Sequence, residues 1–297
     1  MDSLDLEGRV VVVTGGGRGI GRAIALGVAA AGGSVVVVDP GGTLRGADED
    51  RDVAAHVVAE ILDNGGAAVG LAEGVGPMAV AERAVQLALD TWQRLDGAVC
   101  SAGILRHGPF HTLTEADFDA VIETHLKGHF TIFQAAFNVF LRQRSGGSLV
   151  AIASGYLQGD PLRSSYRAAK AGVVALTKSV ALAGTPHSIR ANAIAPRANT
   201  RMTEASDLHF ESDPADIAPA AVYLLSERSR QITGEVLSVS GTTVGSWHDP
   251  RPARTARHWQ RWRQDDLDGV MPWLLEREPD EVTPPLGAAH RPTAEGR

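Results

Sequence analysis

The sequence predicts an α/β protein: a Rossmann-type, doubly wound sheet of seven parallel strands with helices on both faces and a C-terminal extension. Three observations predict it. Short β-branched runs alternate with longer segments of helical periodicity, the order that βαβ units require. The strand candidates are continuous apolar runs, which suit strands buried on both faces. The first of them leads directly into a glycine-rich turn and an alanine-rich helix.

In chain order, the run from Arg9 to Thr14 is almost all valine and bounded by glycine. Val35–Val38 is the second candidate strand and ends at Asp39. Ala67–Leu71, Gly97–Cys100, Ser148–Ala153, Arg190–Ala195 and Val236–Val239 complete the set. Helix starts are marked between them. Thr114-Glu115-Ala116-Asp117 reads as an N-cap followed by acidic residues in the first turn. Asp213-Pro214 places a cap residue and an early proline ahead of a helix over 218–225. Residues 40–50 form a polar, glycine-rich connection longer than most βα loops.

Composition changes near Gly245. The stretch from there to Arg297 carries seven prolines, an arginine cluster and four of the five tryptophans (Trp247, Trp259, Trp262 and Trp273). Purely disordered tails seldom carry so much aromatic surface. The expectation is therefore a domain over residues 1–244 and an extension over 245–297, part of it packed on the body or on a partner subunit, with a loose end.

The bulk numbers narrow the function. A net charge of −7 with scattered basic residues leaves no footprint for nucleic acid. No run reaches the roughly 18 apolar residues needed to span a bilayer. The acidic start, Met1-Asp2-Ser3-Leu4-Asp5, lacks the features of a secretory leader, so a cytoplasmic protein is expected. The single cysteine, Cys100, sits among apolar residues and reads as packing. No histidine, cysteine and carboxylate cluster has metal-ligand spacing, so no metal is expected. There is no Gly-x-Ser-x-Gly elbow either.

Thr14-Gly15-Gly16-Gly17-Arg18-Gly19-Ile20-Gly21 stands between a strand and a helix, the context that gives a glycine motif meaning. Gly15 and Gly19 let the backbone approach a pyrophosphate, and Gly21 lets the helix pack close. The helix N-terminus favours the anion. The candidate cradle is Gly15, Gly17, Arg18, Gly19, Ile20 and Gly21. Asp39 lies 18 residues beyond Gly21, at the end of the second strand. A carboxylate there accepts hydrogen bonds from ribose hydroxyls and repels a 2′-phosphate, which favours NAD over NADP. Arg18 pulls the other way, since a basic loop residue attracts that phosphate.

Tyr166 and Lys170, spaced i and i+4 in a helical pattern, share one face. A nearby ammonium favours the phenolate and lets the phenol exchange a proton with a substrate oxygen. Such a pair gains its meaning from lying roughly 145 residues after a dinucleotide loop.

With these residues in place, the sequence resembles the short-chain dehydrogenase/reductase family from Gly8 to about Gly241, some four-fifths of the chain. The resemblance rests on the Thr14–Gly21 loop, Ser101-Ala102-Gly103, the Tyr166 and Lys170 pair, and Asn192-Ala193-Ile194-Ala195-Pro196. Within the family it is closest to the (3R)-3-hydroxyacyl-CoA dehydrogenase units of peroxisomal multifunctional enzymes and their bacterial relatives. Asp39-Pro40-Gly41-Gly42, Ala102-Gly103-Ile104-Leu105-Arg106, Thr124-His125-Leu126-Lys127-Gly128 and the 195–203 segment carry that closer likeness. It implies cofactor contacts at Ser101, Ala102, Gly103, Tyr166, Lys170, Pro196, Thr200 and Met202. It also implies a homo-oligomer, and a C-terminal extension that helps close the site of a dimer.

Three departures from the family pattern stand out. The family's catalytic serine lies 13 residues before the tyrosine, where this chain has Ala153; Ser154 follows it. A shift of one residue ordinarily turns a strand side chain to the other face, although a bend at the strand end returns it. Ser154 is therefore either the donor to the substrate oxygen or a loop serine. Ser101 replaces the usual asparagine beside the nicotinamide ribose. His125 takes the place of the relay asparagine, as it does in the closer relatives, and reads either as a structural donor or as a relay member. His107 and His111 read as solvated loop residues.

The resulting expectation is an NAD-dependent oxidoreductase acting on a secondary alcohol or ketone, with Tyr166, Lys170, Ser154 and His125 as catalytic candidates. The substrate options are a 3-hydroxyacyl thioester, a steroid or a polyketide-like ketone. The alternative is a cofactor-binding, catalytically weak partner subunit of an active homologue, and a hetero-oligomer belongs with that alternative.

Overall fold

The computed structural model describes residues 5–46, 50–155, 159–204, 209–250, 252 and 254–276. These fall into two compact units that divide between Trp247 and His248.

The first unit is built on one sheet. Its strands are β1 (Val10–Thr14), β2 (Ser34–Val38), β3 (Ala67–Leu71), β4 (Gly97–Cys100), β5 (Gly147–Ile152), β6 (Ile189–Pro196), β7 (Val236–Ser240) and β8 (Thr243–Ser246). They lie in the order β3-β2-β1-β4-β5-β6-β7-β8. The first seven pair in parallel, as their unbroken apolar runs predict. β8 joins as an eighth, antiparallel strand on β7, with Val239 opposite Val244. All four of its residues are exposed, so no hydrophobic run marks it in the sequence.

The valines of β1 and β2 show why the sheet is sandwiched. Val10, Val12, Val36 and Val38 face one layer, with residues of α3 (Met78–Trp92), α5 (Gly128–Gln143) and α6 (Ser164–Gly184). Val11, Val13, Val35 and Val37 face the other, with α1 (Gly19–Ala30), α2 (Asp52–Asp63) and α8 (Ala218–Leu225). Both sides are apolar because both sides are covered. Cys100 is buried in the first of these layers, and its burial pushes the thiol pKa up, as packing requires.

Two predicted helix starts take definite form. Thr114 caps α4 (Glu115–Val121) in a reciprocal box with Asp117. Asp213 caps a short 3₁₀ turn, Pro214–Asp216, and α8 begins just after it. A π-helical turn, Ile122–Lys127, joins α4 to α5 and carries His125. A short helix α7 (Arg201–Glu204) follows β6.

Register places the site. Thr14 is level with Val38 in β2 and Cys100 in β4, and Cys100 is level with Ala151 in β5. The residues just beyond these strand ends therefore gather along one edge: Gly15, Asp39, Ser101 and the β5 exit. The strand order reverses at β1 and β4, and crevices at such switch points are where open α/β sheets bind ligands.

The second unit holds α9 (Gln264–Leu275). Arg254 donates to the Trp273 carbonyl at 2.7 Å and lies over the Trp273 ring. His258 stacks at a tilt on Trp259 and Trp262.

Candidate active site

A cleft of about 720 Å³ opens at the C-terminal edge of the sheet. One wall is the β1–α1 loop. Gly15 has φ +64°, and a Cβ there would lie 2.6 Å from the Ala102 amide nitrogen. A Cβ on Gly21 would lie 2.0 Å from the Gly15 carbonyl oxygen, so the α1 turn closes on the loop only without a side chain. Gly15, Arg18, Gly19, Ile20 and Gly21 all line the cleft. Gly17 does not; its N–H donates to Asp39 Oδ2 at 2.9 Å and fixes that carboxylate instead. The Gly41 N–H donates to the other oxygen, Oδ1, at 2.8 Å.

Arg18, the residue that argued for a 2′-phosphate, is engaged elsewhere. Its guanidinium donates to the Gly42 carbonyl at 3.1 Å and to Asp50 Oδ2 at 3.2 Å. It thereby holds the glycine-rich connection after β2 against the loop after β1.

The next wall is the β4 exit, where Ser101, Ala102 and Gly103 line the cleft. Gly103 is small for a clear reason: a Cβ there would lie 2.5 Å from His125 Cε1. His125 is buried, and its Nε2 lies 2.8 Å from the Ile104 carbonyl oxygen and 3.1 Å from the Ile104 amide nitrogen. Its ring stands edge-on to Tyr166 at a centroid distance of 5.2 Å. Burial, helped by the Lys170 charge, draws its pKa down to about 3, so the imidazole is neutral near neutral pH.

Tyr166 and Lys170 project from α6 into the cleft, as their spacing predicts. Lys170 is buried, and Nζ donates to the Ile152 carbonyl at the end of β5 and lies 5.8 Å from the Tyr166 ring centroid. Burial lowers its pKa to about 7. Burial also raises the Tyr166 pKa above its ordinary value, while the Ser154 hydroxyl and the charges of Arg167 and Arg163 pull it down.

Of the two neighbouring positions, Ser154 brings a hydroxyl to the cleft wall. Ala153 points into the apolar layer beside Ala151, 2% exposed, and its N–H donates to the Ile194 carbonyl at 2.7 Å. The chain leaves β5 there, and Ser154 lines the cleft together with Tyr166. Beyond β6, Pro196, Thr200 and Met202 line the opposite wall. The Thr200 methyl group lies 3.7 Å from where a Cβ on Gly19 would stand.

The structure adds cleft residues that the sequence reading passed over. Arg163 and Arg167 on and beside α6 line it, and so do Phe210 and Trp247. Arg167 lies inside the Tyr-x-x-x-Lys segment itself. Nothing in the pattern flags it, because its partners sit in the loop before α6.

The model of the short chain dehydrogenase family matches residues 9–209. The chain belongs to that family and is an oxidoreductase of the short-chain type. A short-chain type dehydrogenase/reductase of Mycobacterium tuberculosis is 40% identical over 225 residues, 75% of this chain and 79% of the relative. The hydroxyacyl-CoA dehydrogenase ChsB1 of the same organism is 34% identical and covers 94% of this chain and 93% of its own length. Mouse peroxisomal multifunctional enzyme type 2 is 36% identical over 82% of this chain, which spans only 33% of that larger protein. Among solved structures, a short chain dehydrogenase from Mycobacterium avium superposes with a TM-score of 0.83 at 37% identity, over 94% of this chain and 99% of that one. Carveol dehydrogenase from Mycobacterium avium, solved with NAD, matches at a TM-score of 0.73 and 25% identity, over 79% of this chain and 96% of that one. Among the described residues, no helix is long and apolar enough to cross a membrane.

Proposed function

We propose that the protein is an NAD-dependent dehydrogenase of secondary alcohols, reversible to the ketone, with 3-hydroxyacyl thioesters as its substrate class. The observation that carries this reading is the meeting of Ser154, Tyr166 and Lys170 at a cleft that the glycine-rich loop after β1 also lines.

The chain's own residues fit NAD. The glycines after β1 leave room for a pyrophosphate against backbone N–H groups. Asp39 presents a fixed carboxylate at the edge where an adenosine ribose sits, and Arg18 is already committed to Gly42 and Asp50. When bound, NAD supplies the hydride acceptor. Tyr166 Oη takes the proton from the substrate hydroxyl in oxidation and returns it in reduction. The Ser154 hydroxyl, already at the phenol, donates to the substrate oxygen and orients it. Lys170, held by the Ile152 carbonyl, places its ammonium behind the phenol and toward the nicotinamide ribose. His125 stays neutral and holds the Ile104 backbone and the Tyr166 ring edge in place.

The names of two relatives, a hydroxyacyl-CoA dehydrogenase and a peroxisomal multifunctional enzyme, support the thioester class. Ser154 on the cleft wall with Tyr166 supports this reading over the inactive partner subunit that Ala153 suggests. Exposed Phe130 and Leu141 on α5 and Leu182 on α6 support a homo-oligomer, which light scattering measures directly.

The test is NADH formation at 340 nm with 3-hydroxyacyl-CoAs, hydroxysteroids and cyclic secondary alcohols. Turnover on the thioesters that disappears in Tyr166→Phe supports the proposal. Binding of NAD without turnover on any of them contradicts it.

A further inference from the structure

Most of the β5 exit is held from α6. Lys170 Nζ donates to the Ile152 carbonyl, and Arg167 Nη1 donates to the Gly155 carbonyl. Between these two anchors the Ala153 N–H is tied to Ile194 of β6. Residues 152–155 are therefore pinned at three backbone groups, and two of the three pins come from the helix that carries Tyr166. Ser154 is the residue whose side chain this bracket leaves facing the phenol.

Arg167 is itself held. Its side chain is 20% exposed, with Nη2 3.9 Å from Asp160 Oδ2. That same oxygen accepts from Arg163 Nε at 2.7 Å, and Asp160 Oδ1 accepts the Leu162 N–H at 2.9 Å. Among the described residues Arg167 Nε is buried with no hydrogen-bond partner, so the side chain is placed for its Nη1 contact rather than for full pairing. A planar guanidinium with a fixed fork sets a carbonyl more tightly than an ammonium on a free stem.

We propose that Arg167 is a positioning residue: it holds the Gly155 carbonyl so that Ser154, one residue later than the family serine, meets Tyr166 and the substrate oxygen. This rests on the proposed function only for its kinetic readout. Its charge also lies close enough to favour the phenolate, as does that of Arg163.

The test compares wild type with Arg167→Gln, Arg167→Lys, Ser154→Ala and the double variant Ser154→Ala/Arg167→Gln. NADH affinity and thermal unfolding serve as checks of folding. A displaced catalytic group costs on the order of 100-fold in rate. Arg167→Gln lowers kcat by about that factor with KM and NADH affinity held, and Arg167→Lys recovers part of it. Because both act chiefly through one hydroxyl, the double variant is slower than Ser154→Ala by far less than the full Arg167→Gln loss.

A second readout needs no substrate. The chain has three tyrosines, so subtracting the ultraviolet pH titration of Tyr166→Phe isolates the Tyr166 phenol. Its midpoint moves up in Arg167→Gln and returns toward the wild-type value in Arg167→Lys. Losses that multiply in the double variant, a change in KM alone, or an unmoved phenol midpoint would overturn the proposal. If no substrate turns over, the titration decides it independently of the dehydrogenase reading: the Arg167→Gln shift must be smaller in the Ser154→Ala background than in wild type.

Discussion

Ser154 lines the same cleft as Tyr166 and helps pull its phenol pKa down, although the position 13 residues before the tyrosine is Ala153. Ala153 finishes the β5 alternation inside the apolar layer, and the chain then turns. Ser154→Ala is therefore expected to lower kcat by about 10²–10³, the usual cost of losing one donor to a reacting oxygen, with NAD affinity unchanged. Ala153→Ser, added to Ser154→Ala, should restore only part of it, because Ala153 borders the cleft but is 2% exposed. Steady-state kinetics of the two single variants and the swap check both statements.

Asp39 is held by the Gly17 and Gly41 N–H groups at the adenosine end of the cleft. Asp39→Ser removes the acceptor for the ribose hydroxyls and the repulsion of a 2′-phosphate. The preference for NAD over NADP should fall by roughly 10- to 100-fold, a loss of about 1.5–3 kcal/mol for hydrogen bonds to a charged group. The ratio of kcat/KM for the two cofactors measures it, and an unchanged ratio would mean that Asp39 does not set the preference.

Gly15→Ala is expected to harm both folding and cofactor binding. Its φ of +64° is unfavourable for an L side chain by about 1–2 kcal/mol, and the new Cβ would press on the Ala102 backbone. The measured outcome is a lower Tm and a reduced rise in Tm when NAD is added.

Lys170 makes stability pH-dependent. Its pKa falls from 10.5 to about 7 on burial, so between these values the unfolded chain keeps a proton that the folded chain has released. Stability must rise with pH across that window. Thermal unfolding of wild type and Lys170→Met from pH 7 to 10 should show wild type gaining on the variant as pH rises. Parallel curves would contradict the buried, proton-releasing lysine.

His125 acts in the acid range. Its folded pKa of about 3 lies below the ordinary 6.5, so the unfolded chain takes up a proton first and stability is lost as pH falls below about 6.5. His125→Asn should flatten part of that loss in acid unfolding curves. It should add no new pKa to the rate profile near neutral pH, since the imidazole does not titrate there.

Much of this was legible in the residues. The valine runs gave the parallel strands because both faces are covered, and the Thr14–Gly21 loop gave the cleft because its glycines serve close approach. β8 was not legible: four exposed residues leave no pattern to read. Nor was the turn that brings Ser154 to the phenol, since it is set by Lys170 and Arg167 from a helix and by Ile194 from a neighbouring strand. Trp247 stood out as one of the aromatic residues beyond Gly245, but its place on the cleft wall depends on how β7 and β8 end. The bond from the Gly17 N–H to Asp39 was not legible either, since it joins loops after two different strands.

The central claim is that Tyr166, with Ser154 beside it, moves the substrate proton while NAD takes the hydride. The most direct measurement is NADH production from a 3-hydroxyacyl-CoA by wild type and Tyr166→Phe, with NADH affinity measured in both. Turnover is expected in wild type, with near-complete loss in the variant at unchanged affinity. Equal turnover in the two proteins, or none in wild type despite bound NADH, would contradict it.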